Sequence, residues 1–303
     1  MNTEYNKTFI FIIVVLSGLI INLASCSHMN KKSSTAQIRY IANDGFLIQV
    51  GDKKILIDAL FGKEDLTFCD TPGSETIDQI INSEKYFENI DLIVATHNHR
   101  DHFHAPFVRE FLQNNKQVKF ISTNQSCNDL KVEADYQKIK GQIIEITPDT
   151  LSSISKKVNG ISTEVFRFRH SSYYEKDRLT GKEFDRHAKV QNFGVLFSIN
   201  DLKIFHSGDS SPRWIHEYKN FRLDKKGIDI ALLDRAFLWD LNTERIDLIK
   251  NYISPQNIIL MHIHPNNRNR FTKIANKLGP EFPPVTIFKE KSEKRRFKII
   301  QKK

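Results

Sequence analysis

The chain is 303 residues long, 40% hydrophobic and 27% charged, with a formal net charge of +9 at pH 7. That length suits one large α/β domain, and no linker, low-complexity block or internal repeat follows Gln37, which argues against a second core or a repeat array. The positive charge, part of it in Lys294-Arg295-Arg296 and Lys302-Lys303, reads as solvated surface with some attraction to anionic lipid; with no RNA-binding appendage, nucleic acid is not expected as a partner.

Lys7 precedes the apolar stretch Phe9 to Ile21, which leads into Leu23-Ala24-Ser25-Cys26. This order makes residues 1–25 a signal peptide, and the small residues before the cysteine resemble a bacterial lipobox. The expectation is cleavage before Cys26, lipidation of its thiol with chains such as palmitate, and export as a membrane-anchored lipoprotein on the periplasmic side or at the cell surface. The alternative is an uncleaved anchor helix, although the run is shorter than the roughly 20 residues a comfortable span needs. Ser27 carries no inner-membrane retention signal of the Asp type, so inner and outer membrane both stay open. Residues 26–37, rich in Ser, Lys and Asn, read as a flexible tether, and residues 38–303 as the folded domain.

The domain opens as a β meander: Ile38 to Ala42, Phe46 to Val50, the turn Gly51-Asp52, then Ile55 to Asp58. A polar segment, Gly62 to Lys85, carries a helix around Ile77 to Tyr86 before the apolar strand Ile90 to Thr96. Pro106 sits in the first turn of a helix running to about Asn114. Gln117 to Ser122 reads as strand, Cys127 to Tyr136 as helix and Gln142 to Thr147 as strand. Ser162 to Phe168 is a strand ending at Arg169-His170, before the polar loop Ser171 to Lys189. Phe193 to Ile199 and Leu202 to His206 form a hairpin about Asn200-Asp201 that ends in Ser207-Gly208-Asp209. Ile228 to Leu233 is a buried strand, Thr243 to Tyr252 a helix, and Ile258 to Met261 a strand closing on His262. Two β-rich halves with helices outside predict a four-layer αββα sandwich, with strand ends from both halves meeting at one edge.

Ligand-type residues collect at those strand ends. His97-Asn98-His99-Arg100-Asp101-His102 places three histidines and a carboxylate within six positions, directly after a buried strand. Packing does not account for so many polar groups there, whereas imidazole and carboxylate are the ligands of catalytic zinc. In an extended loop His97 and His99 point the same way, and Asp101 and His102 can turn toward a neighbouring ion, so the spacing suits two ions. Asp58, His170, Asp209 and His262 complete the set. His170 could instead be a surface histidine, and Asp209 a turn carboxylate. His262 competes with His264; it is preferred because it directly ends an apolar run, which leaves His264 to face substrate. His206 reads as structural, and His104 and His187 as pocket or surface residues. Tyr173, Tyr174 and Arg178 line either a pocket or a solvated loop, and Cys69 and Cys127 are either paired or free.

Asp58, His-x-His-x-Asp-His at 97–102, His170, Gly208-Asp209 and His262, in that order, resemble the metallo-β-lactamase superfamily over about Gln37 to the C-terminus. The resemblance implies an αββα fold and a dinuclear site holding two Zn2+, with Mn2+ or Fe2+ as alternatives. One ion would be held by His97, His99 and His170, the other by Asp101, His102 and His262. Asp209 would bridge them, and Asp58 would orient the ligand loop from behind. No thiolate replaces Asp209, as in zinc-cysteine lactamases, and no glutamate replaces His99, as in the di-iron flavoprotein branch. The intact set resembles hydrolases of phosphodiesters, lactones and thioesters. Phe46-Leu47-Ile48-Gln49, Lys54 to Asp58 and Asn192 to Val195 are similar to the branch of ascorbate-6-phosphate lactonase and N-acyl-phosphatidylethanolamine phospholipase D.

The resemblance therefore implies cleavage of an ester, lactone or phosphodiester bond, with Asp209 and Asp101 in the catalytic roles. Zinc lowers the pKa of bound water enough to make hydroxide available near neutral pH. Two divalent ions against two carboxylates and one hydroxide leave the centre positive, which favours an anionic small molecule. The competing expectations are a membrane-lipid phosphodiesterase, favoured sterically by the anchor, and a non-catalytic metal-binding lipoprotein. The oligomeric state stays open.

Overall fold

The apolar runs become two seven-stranded sheets. A computed structural model describes residues 33–62 and 66–300; the leader, Cys26 and the tether up to residue 32 lie outside them. The first sheet contains β1 (Ser33–Ala42), β2 (Gly45–Val50), β3 (Lys53–Ile57), β4 (Leu92–Val94), β5 (Lys119–Ser122) and β6 (Ile143–Glu145) in that order, with β16 (Lys294–Ile300) outside β1. The second runs β15-β14-β13-β12-β11-β8-β7, formed by β7 (Ser153–Val158), β8 (Ile161–Arg169), β11 (Gln191–Ile199), β12 (Leu202–His206), β13 (Ile230–Asp234), β14 (Asn257–Met261) and β15 (Val285–Ile287). A small hairpin, β9 (Tyr174–Lys176) with β10 (Glu183–Asp185), rises from the loop after β8.

Alternation along the strands sorts the side chains into layers. Phe46 and Ile48 point between the sheets and meet Val195, Phe197 and Ile204, while Leu47, Leu56 and Ile93 point outward. The outward set of the first sheet is covered by α1 (Ser74–Ile81), α2 (Ala105–Asn114) and α3 (Asn124–Lys131). Each buries residues three and four apart, such as Val108, Phe111 and Leu112 in α2, which is the stripe a helix needs to cover a sheet. On the second sheet Leu196, Phe205 and Leu233 pack under α4 (Ile215–Phe221), α5 (Thr243–Asp247) and α6 (Arg268–Ala275), with Tyr218 and Phe271 fully buried. The fold is the four-layer αββα sandwich. No helix among the described residues is long and apolar enough to cross a membrane.

Several boundaries differ from the sequence reading. β1 begins at Ser33, so the last residues assigned to the tether are strand: Ala36 pairs with Val50 and Gln37 with Gln49. The helix expected to reach Tyr86 stops at Ile81, since Ser83 and Lys85 take left-handed backbone at φ 55. The helix expected over Cys127 to Tyr136 breaks after Lys131 and resumes as one turn at Tyr136–Ile139, with Asp135 at φ 61 between them. The helix from Thr243 passes into a π-helical turn, Leu248–Ile253. Cys69 and Cys127 are both free and buried.

Candidate metal centre

The loop after β4 is held from behind by Asp58, which follows β3 in the left-handed region at φ 45. Its carboxylate accepts from the Thr96 N–H (2.7 Å), the Thr96 hydroxyl (2.6 Å) and the His102 Nδ1–H (3.0 Å). Because the Thr96 hydroxyl proton is used on Asp58, its oxygen accepts from His97 Nδ1–H at 3.1 Å. Both rings are thereby fixed with Nε2 free to bind. From the second sheet, His170 Nδ1–H donates to the Ser171 carbonyl at 2.8 Å, leaving its Nε2 free in the same way.

Asp209 arrives through a turn that only glycine tolerates. At Gly208, φ is +53 and a Cβ would stand 2.3 Å from the Phe193 carbonyl oxygen and 2.6 Å from Asn192 Oδ1. The same Asn192 oxygen accepts the Asp209 N–H at 3.1 Å. His262, one residue past β14, is also left-handed at φ 57, which turns its ring into the edge. Arg235 contacts the other nitrogen of that ring and donates to the His262 carbonyl at 2.5 Å.

Two groups of ligand atoms result. His97, His99 and His170 form one; His102, Asp209, His262 and, in addition, Asp44 form the other, with each group's atoms within 4.8 Å of one another. Asp101 Oδ2 lies 3.6 Å from His102 Nε2 and 3.4 Å from His262 Nε2. Asp209 reaches both groups, its Oδ2 at 3.2 Å from His170 Nε2 and its Oδ1 at 3.3 Å from His102 Nε2.

These atoms suit cations. His97 Nε2 and His170 Nε2 face each other at 3.3 Å, so in neutral rings two lone pairs meet. That is about the separation of two nitrogens each roughly 2.0–2.1 Å from one tetrahedral ion. His102 Nε2, His262 Nε2, Asp209 Oδ1 and both Asp44 oxygens are buried and make no hydrogen bond. Leaving each such group unmatched costs roughly 1–3 kcal/mol or more.

His97 and His99 are shifted in the opposite direction to His102 and His262 in the metal-free chain. Burial and then the neighbouring imidazoles push His99 down to about 4, and burial and His102 hold His97 well below the ordinary imidazole range. Burial also opposes charge on His102 and His262, but nearby carboxylates, Asp209 foremost, outweigh it. His102 is raised well above the ordinary range and His262 to about 10. Asp209 is correspondingly held low by His262 and His102 against its burial, while burial pushes the Asp44 carboxyl well up.

The centre opens into a cavity of about 750 Å³ with His99, Asp101, His170, Asp209 and His262 at its floor. Arg100, Arg186 and Arg235 line its walls, with Phe68, Tyr173 and His187. His187 packs with its ring tilted to His99 and edge-on to His170, at ring separations of 4.8 and 4.3 Å, and so belongs to the pocket.

His264, expected to face substrate, does not line this cavity. Its Nδ1 accepts the Asn266 N–H at 3.2 Å, and its Nε2 lies 3.3 Å from the Thr67 carbonyl, so it caps a turn. His206 is fully buried between backbone groups, with Nδ1 accepting from Gly208 N–H and Nε2–H donating to the Asp44 carbonyl. His104 precedes α2 and packs on Phe107. Asp44, Thr96 and Arg235, and the role of Asn192 in holding Asp209, carry no signal of their function in the sequence. Asn43-Asp44-Gly45 carries only a turn signal, and the others lack ligand spacing.

An αββα sandwich with His and Asp ligand atoms gathered at one sheet edge defines a metallo-β-lactamase fold. A family model described as a beta-lactamase superfamily domain matches residues 53–282, and the chain belongs to that family. Among solved structures, it is similar to a metallo hydrolase from the archaeon Ignicoccus hospitalis, at 20% identity and TM-score 0.54, covering 87% of this chain and 98% of that one. A metallo-beta-lactamase fold protein from Bacillus subtilis matches at 13% identity and TM-score 0.52, over 87% and 100%. An isothiocyanate hydrolase from Delia radicum gut bacteria matches at 15% identity and TM-score 0.51, over 86% and 98%. A comparison with curated proteins finds no match.

Proposed function

We propose that this chain is a dinuclear metal-dependent hydrolase that splits an ester, lactone or phosphodiester bond of an anionic small molecule. The observation that carries the reading is the pair of ligand groups with Asp209 between them, their nitrogens and oxygens buried and facing one another. His97, His99 and His170 would hold one ion and Asp101, His102 and His262 the other, with Asp209 shared. Bound ions would supply a hydroxide nucleophile near neutral pH and stabilise developing negative charge. The chain's own part is to fix this set and steer substrate. Asp58 and Thr96 lock ring tautomers, Arg100, Arg186 and Arg235 attract an anion to the cavity, and Asp209 is placed to pass a proton to the leaving group.

The fold supports this reading, as do neighbours named as a metallo hydrolase and an isothiocyanate hydrolase. The test is metal analysis of the full-length chain followed by a hydrolysis screen against phosphodiester, lactone and thioester panels. Two ions per chain and turnover of an anionic member are expected. Two ions without turnover would instead mark a metal-binding lipoprotein, and a folded chain that takes up no metal would refute the proposal.

A membrane-lipid substrate is favoured by one feature. The β9–β10 hairpin beside Tyr173 exposes Tyr174, Phe184 and Leu179, the last 96% exposed. Faster turnover of a phosphodiester lipid in vesicles than of its soluble headgroup analogue would select this reading. We further propose that a lipid on Cys26 tethers the domain outside the cytoplasm; absence of label on Cys26 after growth with radioactive palmitate would exclude it.

A further inference from the structure

The turn between β1 and β2 carries a buried carboxylate that the assignments above do not use. Asp44 is fully buried and neither of its oxygens accepts a hydrogen bond. Its Oδ2 stands 3.8 Å from His102 Nε2, within the group formed with Asp209 and His262. Aspartate between two strands ordinarily faces water, so this inward orientation needs a cause.

The turn is held there from three sides. Asn43 N–H donates to the Tyr40 hydroxyl oxygen at 2.8 Å, and Asn43 Nδ2 donates to Asp101 Oδ2 at 3.2 Å. His206 Nε2–H, from the opposite sheet, donates to the Asp44 carbonyl at 3.1 Å. Gly45 presses on the ligand loop so closely that a Cβ would stand 2.6 Å from the Asp58 carbonyl oxygen.

We propose that Asp44 is a further ligand of the ion position formed by His102, His262, Asp101 and Asp209, and that it makes this position select Mn2+ or Fe2+ over zinc. The inference rests on the dinuclear reading given above. Two imidazoles and three carboxylates are an oxygen-rich, five-donor set, which suits harder ions of higher coordination number, whereas zinc settles for four donors. The other position, with three imidazoles and only the shared Asp209 carboxylate, lacks this bias. A third carboxylate also cancels the positive charge that two carboxylates and a hydroxide would leave, so attraction of an anionic substrate falls to Arg100, Arg186 and Arg235.

The test is to strip the full-length chain and load it with equimolar Zn2+ and Mn2+, then count bound ions by mass spectrometry. Wild type should retain both metals. Asp44→Asn, and Asp44→Ala with no side-chain oxygen, should lose Mn2+ by tenfold or more relative to Zn2+. Metal-free Asp44→Ala should melt no lower than wild type, because a buried carboxyl without a hydrogen bond has been removed, and both variants should gain less on adding Mn2+. Metal-free variants that melt lower while keeping the wild-type Mn2+ to Zn2+ ratio would make Asp44 structural and overturn the inference alone. A wild type that binds no ions would overturn the dinuclear reading with it. Should neither variant fold, anomalous scattering from Mn2+-loaded wild-type crystals decides. An ion in bonding contact with an Asp44 oxygen supports the inference, and one beyond reach overturns it.

Discussion

The two halves of the centre are built on different electrostatic plans. His97, His99 and His170 form a group of three imidazoles, in which the protons of His97 and His170 are held on Nδ1, pointing away toward Thr96 and Ser171. The half around His102 and His262 instead faces imidazoles raised above their ordinary range against Asp101 and Asp209, which those imidazoles hold low. The first is ready for a cation with little proton loss. The second must exchange protons for one.

That contrast can be broken most directly at the shared residue. Asp209→Ala should lose both ions and lower kcat/KM by roughly a thousandfold or more, about 4 kcal/mol of barrier. Loss of only one ion, counted by mass spectrometry, would mean that Asp209 serves a single half. Asp209→Asn separates ligation from proton transfer, and retention of both metals with full turnover would remove the proton-transfer role.

Asp58→Asn should weaken metal binding by about 10–100-fold, the usual size of such an effect behind a metal-bound histidine. The loss should fall more heavily on the His102 side, because Asp58 touches His102 directly and reaches His97 only through Thr96. Equal losses in both halves by titration calorimetry would erase that asymmetry.

Acid should sharpen the same difference. His102 is raised and His262 stands near 10, so loading their half displaces protons, and affinity there should fall about tenfold per pH unit for each proton displaced. His99 titrates near 4 and His97 lies well below the ordinary imidazole range, so these two ligands bring no proton to displace between pH 8 and about 5. Dialysis across that range should strip the carboxylate-side ion first; simultaneous loss of both would contradict the two plans. The smallest expected effect is at His264→Ala, which should leave metal content and turnover unchanged and stability within about 0.5 kcal/mol. A drop in kcat/KM would return His264 to the substrate site.

Much of this centre was legible because its residues sit at the ends of apolar runs. The run Ile90 to Thr96 delivers His97, the run Ile258 to Met261 delivers His262, and the strand from Leu202 delivers Asp209 after a turn. Asp44 was not legible, because contacts with distant segments, among them His206, 162 residues away, and Asp101, hold its turn inward. The edge strands β7 and β16 also escaped: Ser153–Val158 is exposed at all but its last residue, so no apolar run marks it. The helix breaks at Ser83 and Asp135 arise from left-handed residues without glycine, which local sequence does not announce.

The ligands also straddle a seam. Asp44, His97 and His102 hang from the first sheet, and His170, Asp209 and His262 from the second. A pair of ions there would act as a reversible cross-link between sequence-distant segments, present only in the folded chain. By mass action, an ion at a hundred times its dissociation constant adds about 2.7 kcal/mol to folding. Metal supply would then govern how long the protein resists proteases as well as whether it can act.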